Sequence, residues 1–305
     1  MSEVILHHYP ASPFAEKVRL MLGFKGLAWR SVTIPRWMPK PDLTALTGGY
    51  RRTPVMQIGA DVFCDSACIA RELERLRPGP ALFPAREKGR TTVMGAWADR
   101  TLFFDVVGVV FGTHGHTAPQ ELRDDRHRFS GGAIDIDRYA ADQTHIRAQL
   151  RAHLFWLENA LEDGCGFLLG DTPTYADFCV WGPVWMLRNR VPELGLLDDT
   201  PRVRAWVERM GAFGHGAPAE FDAKDALRTA REAVPRPVEP THPEVPAGME
   251  IGQRVTVAAD DYGKEPVTGY LVACSAQRVI LRRGEPAAGE VNVHFPRAGF
   301  RLTQV

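Results

Sequence analysis

VILHHYPASPFAEKVRLMLGFK, residues 4 to 25, is the stretch from which the rest of the chain can be read. Val4, Ile5 and Leu6 form a short apolar run with β-branched members, the pattern of a buried strand. A turn follows, with Pro10 and Pro13 on either side of Ser12. Beyond it Phe14, Val18 and Leu22 recur at helical spacing, and Leu20 and Met21 widen the stripe. Pro13 fits the first helical turn, where its missing N–H removes nothing. Ser12 therefore stands at the mouth of a strand-to-helix turn, at the positive end of a helix dipole and beside free backbone N–H groups. Such a position stabilises an anion. It is also the ordinary place for a capping serine, and this stretch alone leaves both roles open.

At 305 residues, 45% apolar and 24% charged, the chain has room for two or three domains. Lys plus Arg equals Asp plus Glu at 37 each, so no global field draws it to nucleic acid or anionic lipid. No apolar run is long enough to span a bilayer, and the N-terminus lacks the pattern of a secretory signal. Five cysteines (Cys64, Cys68, Cys165, Cys179 and Cys274) include no C-x-x-C pair. Their odd number and scatter fit free thiols in a reducing cytosol, so a cytoplasmic protein is expected.

Trp29–Ile34 reads as a second strand, and 39–49 as a short irregular helix and loop. Pro54–Ile58 and Val62–Cys64 read as a hairpin turning through Gly59-Ala60-Asp61. Asp65-Ser66 opens an amphipathic helix, Ala67–Arg77, which Pro78-Gly79-Pro80 stops. Thr53-Pro54 places a proline at a strand's start, where its missing donor is tolerated. Its peptide bond is open to two readings: an ordinary trans bond, or a cis bond presenting the backbone of Thr53 to an extended ligand.

The β-α-β-α-β-β-α order, with Ser12-Pro13-Phe14, Thr53-Pro54-Val55 and Asp65-Ser66-Ala67-Cys68-Ile69, resembles the thioredoxin-fold N-terminal domain of the glutathione transferase superfamily. The S-P-F turn is similar to that of the serine-using tau class. Pro13-Phe14-Ala15-Glu16 resembles the run that follows cysteine in the omega class. Asp65-Ser66 falls where the family has Glu-Ser, a departure that shortens the carboxylate.

The resemblance implies roles residue by residue. Ser12 would donate to the thiolate of glutathione, with Tyr9 as its rival. Thr53 and Pro54 would meet the cysteinyl backbone, and Asp65 and Ser66 the γ-glutamyl end. Arg52 would attract the glycyl carboxylate, with Lys40 as a second candidate. A free thiol has a pKa of about 8.5, and lowering it by about two units needs roughly 2.7 kcal/mol of preference for the thiolate. A charge-assisted bond from Ser12 Oγ plus a helix N-terminus is of that order.

From 84 onward the pattern turns helical. Arg86–Gly112 reads as one long buried helix, 113–137 as a polar loop or lid, and Arg138–Asp163 as another helix. His114 and His116 lack a ligand cluster and read as surface histidines, so no metal is expected. Thr174 and Asp177 have capping-box spacing ahead of Phe178–Arg190, a motif similar to one in the family's α-helical domain. Helices over Pro201–Phe213 and Phe221–Ala233 complete the resemblance. Phe14, Trp97, Phe104, Phe111 and Met186 could line a hydrophobic co-substrate site, although a helical bundle buries such residues anyway.

VPRPVEPTHPEVPAG, 234–248, is a semi-rigid linker by composition. Five short strand patterns follow it: Arg254–Ala258, Val267–Ala273, Arg278–Arg282, Glu290–Phe295 and Phe300–Leu302. The expected organisation is therefore a thioredoxin-like α/β domain (1–80), an all-α domain (84–233), the linker (234–248) and a small all-β domain (249–305), for which an SH3-like barrel with its own core is one form.

The function so implied is conjugation of glutathione to a small electrophile, a detoxifying transferase activity, by a cytoplasmic homodimer using no metal and binding neither nucleic acid nor membrane. Two alternatives remain. One is a glutathione-dependent thiol reductase, which Ser at position 12 disfavours. The other is a non-catalytic scaffold whose β-domain binds a partner.

Overall fold

The computed structural model describes residues 3–162, 164–238 and 244–305, so part of the proline-rich linker, 239–243, lies outside the described residues. Strand β1, Ile5–His8, runs into the turn that Ser12 ends, and helix α1 follows over Pro13–Phe24. Then come β2 (Ala28–Thr33), α2 (Pro41–Thr47), the hairpin β3 (Val55–Ile58) and β4 (Asp61–Cys64), and α3 (Ser66–Leu76). β2 lies parallel to β1, and β3 and β4 follow antiparallel. Gly59 takes the tight hairpin turn with φ of 58°, a left-handed conformation that a Cβ would oppose. This is the thioredoxin-like unit that the sequence predicts.

The helical unit differs from its reading in three places. The helix expected over Arg86–Gly112 is two, α4 (Lys88–Trp97) and α5 (Phe103–His114), joined by a π-helical turn at Ala98–Leu102. That widened turn aims Asp99 inward at Lys17. The expected loop at 113–137 contains α6, Gln120–Ser130. Its inner face carries Leu122 and a buried Asp125, held by Arg51 and Arg126, so an ion pair stands where an apolar periodicity would have announced the helix. Arg138–Asp163 begins early as α7 (Ile136–Ala141) and continues as α8 (Gln143–Ala160).

Helix α9, Tyr175–Arg190, opens on the expected capping box: the Thr174 N–H donates to Asp177 Oδ2 at 2.8 Å. Asp177 also accepts from Leu168 N and Trp206 Nε1, so it ties a loop and α10 (Pro201–Gly211) to the same helix start. A short strand that the sequence does not announce, β5 (Ala217–Glu220), lies parallel to β2, ahead of α11 (Ala223–Glu232).

The tail folds as β6 (Arg254–Ala259), β7 (Val267–Cys274), β8 (Arg278–Glu285), β9 (Gly289–Pro296) and β10 (Phe300–Gln304). These five do not stand apart. β9 pairs in parallel with β4 through Asp61↔Asn292, Val62↔Val293 and Phe63↔His294. One ten-stranded sheet results, in the order β10-β6-β7-β8-β9-β4-β3-β1-β2-β5.

The two faces of the thioredoxin strands enter different cores. Leu6, Met56 and Phe63 join α1, α3 and the helical unit. Ile5, Val55 and Val62 join α2, α11 and the tail's Val257, Leu271 and Val293. The expected private core of the tail is therefore shared with the N-terminal unit.

Candidate functional site

Ser12 takes an extended conformation as the N-cap of α1, and its Oγ accepts the Ala15 N–H at 3.1 Å. Acceptance leaves the hydroxyl proton free to be donated. The residue is 2% exposed and borders an apolar chamber of about 230 Å³. Any anion placed there would face Ser12 O–H and the helix dipole together.

Adjoining it is a second chamber of about 530 Å³, lined by Thr53, Pro54, Asp65 and Ser66 among others. Thr53–Pro54 is cis, and neither the N–H nor the C=O of Thr53 is engaged by another backbone group among the described residues. Asp65 has φ of 76°, the one positive φ outside glycine among the described residues. It caps α3, its Oδ1 accepting from Ala67 N at 2.8 Å, while Ser66 forms the first helical residue and is buried. Side chains held in sparsely allowed backbone conformations gather at binding sites.

Arg52 and Lys40 are placed here too, but neither stands free. Lys40 Nζ donates to Arg51 O and to Thr53 Oγ1 at 3.2 and 3.3 Å, which supports the Thr53 turn from beneath. Burial, and after it the charge of Arg126, lowers its pKa to about 8. Arg52 donates to the carboxylate of Asp261 and the carbonyl of Tyr262, both on the β6–β7 loop of the tail, and its guanidinium lies 4.0 Å from the Tyr262 ring centroid.

That loop crosses the cleft. Glu265 holds Arg51 at 2.6 Å, and the Gly263 N–H donates to Phe129 O at 2.8 Å. A Cβ on Gly263 would fall 2.3 Å from the Phe129 ring, so only glycine permits this approach. Tyr262, Arg52, Thr53 and Phe14 wall both chambers. Burial pushes the Tyr262 phenol up to about 12, against the pull of Arg52. Sequence reasoning missed this loop, because DDYGKE has the composition of an ordinary hairpin turn.

Of the residues expected in a hydrophobic co-substrate site, Phe14, Phe111 and Met186 line the apolar chamber. Trp97 does not: its ring packs edge-on to His153 and against Trp156 on α8. Phe104 does not either, because α5 turns it toward Tyr262, and its neighbour Phe103 takes the wall position. Tyr9 reaches the chamber, but its hydroxyl accepts from Arg126 Nη2 at 3.2 Å.

The sequence also gave no notice of Lys17, which is 1% exposed and donates to both oxygens of Asp99 at 2.8 and 2.7 Å. Burial opposes the Lys17 charge, but Asp99 more than offsets it and holds the ammonium protonated. The same burial lifts the Asp99 carboxyl and pushes up the thiol of Cys179, 3.3 Å from Lys17 Nζ. An i, i+4 periodicity that buries a lysine on the core face of α1 was the one signal available. No group of three or more His, Cys, Asp or Glu suited to a metal ion occurs among the described residues, and no helix there is long and apolar enough to cross a membrane.

Two domain families match this chain: glutathione S-transferase, N-terminal domain, over residues 6–81, and glutathione S-transferase, C-terminal domain, over 96–209. The chain belongs to the glutathione S-transferase superfamily. A GST-like protein from Pseudomonas syringae superposes with a TM-score of 0.80 at 41% identity, over 100% of both chains, and so includes the tail. FtsZ-localized protein A of Caulobacter vibrioides (strain NA1000 / CB15N) is 28% identical over 182 residues, 58% of this chain and 73% of that protein. The structure of FzlA from C. crescentus shares the fold, with a TM-score of 0.55 at 24% identity over 74% of this chain and 92% of its own.

Proposed function

We propose that this glutathione S-transferase family member binds glutathione across the two chambers and adds its thiolate to a small electrophile. The observation that carries the reading is the Ser12 turn: a capping hydroxyl with its proton free, at a helix N-terminus, on the border of an apolar chamber. The γ-glutamyl end would lie in the second chamber against Asp65 and Ser66, and the cysteinyl backbone beside Thr53. The sulfur would then reach Ser12, whose O–H stabilises the anion without acting as a nucleophile. The electrophile enters from the apolar side, where exclusion of water strengthens every charge–dipole contact. Ser12 works as a donor, so thiol–disulfide exchange is the weaker reading: no cysteine lines either chamber among the described residues. The reading carries with it a cytoplasmic homodimer engaged in detoxification.

A second reading has its own support. Arg52 is already neutralised by Asp261, and a relative is named for its localisation to FtsZ. On this view the fold is a scaffold, with the tail serving a protein partner. A glutathione thermal shift followed by conjugation assays on a panel of electrophiles separates the two. A shift with turnover supports the transferase; no shift at millimolar glutathione favours the scaffold.

A further inference from the structure

The apolar chamber has a one-sided rim. Its walls are Phe14, Phe103, Val107, Phe111 and Met186, while every ionisable side chain in the lining is basic or phenolic. Four arginines line it: Arg52 beside Thr53, and Arg36, Arg126 and Arg190 from the segment after β2, α6 and the last turn of α9. No aspartate or glutamate lines it.

Asp261 pairs with Arg52 and Glu193 with His114, which leaves the other three arginines to account for. Asp125 holds Arg126 at 2.6 Å, but it shares itself with Arg51, also at 2.6 Å. Arg126 in turn donates to the backbone carbonyl of Arg36 at 3.0 Å, which ties α6 to the segment after β2. Arg36 and Arg190 make no ion pair among the described residues. Burial first, and then the like charges of Arg190 and Arg126, weaken the hold of Arg36 on its proton, against an opposing pull from Tyr9. Lys40 behind them is likewise disfavoured as a cation. In a chain whose charges balance at 37 of each sign, this concentration is local.

Like charges crowded at a cavity mouth repel one another, and a bound anion relieves that repulsion. We infer that the apolar chamber selects a small amphipathic anion, an aromatic or short alkyl body bearing one carboxylate, with the body among Phe14, Phe103 and Phe111 and the carboxylate between Arg36 and Arg190. Guanidinium suits this task because its fork meets a carboxylate with two parallel bonds. The chamber's volume of about 230 Å³ lies below the roughly 300–1,000 Å³ usual for drug-sized ligands, which limits the body to a ring or two. That this anion is the co-substrate rests on the transferase reading; that it binds does not.

The test is a matched pair of unreactive probes, 2-naphthoate and 2-naphthamide, titrated calorimetrically into the full chain at pH 7.5 and low salt. Naphthoate should bind at least about tenfold more tightly, and added salt should erode the difference. Arg36→Gln with Arg190→Gln should remove the preference, and Arg36→Lys with Arg190→Lys should retain part of it. Equal affinity for the amide, binding of neither probe, or a preference untouched in the glutamine variant overturns the inference. The glutathione-induced thermal shift, measured on the unaltered protein, decides the transferase reading separately.

Discussion

Arg52 and Asp261 are 209 residues apart in the chain and joined by an ion pair in the cleft. The arginine belongs to the unit expected to bind glutathione, and the aspartate to a tail with no counterpart in the part of the chain that the two domain families match. The tail thus places its own carboxylate on the guanidinium expected to receive a ligand's.

If these carboxylates compete, Asp261→Asn should tighten glutathione binding by about three- to tenfold while lowering stability by about 1 kcal/mol, the scale of a partly exposed pair. Calorimetric titration and urea unfolding measure the two. Affinity that is unchanged or weaker would mean that Arg52 takes no part in binding.

Ser12→Ala should raise the pKa of bound glutathione by about one to two units and cut turnover at pH 7 by about ten- to a hundredfold, with affinity largely kept. Thiolate absorbance as a function of pH reads the shift. Tyr9→Phe should do little, because its hydroxyl sits beside Arg126 of α6 and not at the N-terminus of α1. Loss of turnover in Tyr9→Phe but not in Ser12→Ala would transfer the role to the tyrosine.

His7 gives a pH dependence of known sign. Burial lowers its pKa to about 4, and its Nε2 lies 3.0 Å from Gln57 Oε1 in the neutral form. Above about pH 6.5 neither folded nor unfolded chain protonates it, and its contribution is constant. Between about 6.5 and 4 only the unfolded chain takes up the proton, so stability falls by up to about 3 kcal/mol as the pH drops. Urea midpoints from pH 7 to 4 should show that limb, and His7→Gln should flatten it. An equal slope in the variant would assign the loss to other groups, His8 first among them.

Removal of the tail tests the shared core. Read from the sequence alone, truncation after Ala233 leaves a soluble protein that still binds glutathione. The shared core argues for another outcome: the cut would uncover β4 along its edge and expose Ile5, Val55 and Val62 on the face that the tail covers. The truncated chain should lose cooperative unfolding and aggregate. A monomeric truncation product with a sharp thermal transition would show that residues 1–233 hold themselves together.

What could be read from the sequence was what is local. The Ser12 turn, the Thr53-Pro54 strand start, the Thr174/Asp177 cap and the alternating tail strands each announce themselves within a few residues. What could not be read depends on distant partners. Helix α6 hides because its inner face uses Asp125, which makes sense only beside Arg51. Lys17 reads as a surface residue until the π-helical turn brings Asp99 to it. Strand β5, Ala-Pro-Ala-Glu, has no alternation at all and exists because β2 has a free edge. Phe104 and Trp97 show the limit of composition: the chamber needed aromatics from α5, and which ones face it is set by a helix phase that the π turn resets.

The parallel join of β4 to β9 also sets a timetable. Asp61 leaves the ribosome 231 residues ahead of its partner Asn292. Through that interval the N-terminal strands carry an open edge and an uncovered apolar face, and the second core closes only once β9 has been made. A nascent chain stalled anywhere before β9 therefore exposes both, whatever its helical unit has already achieved.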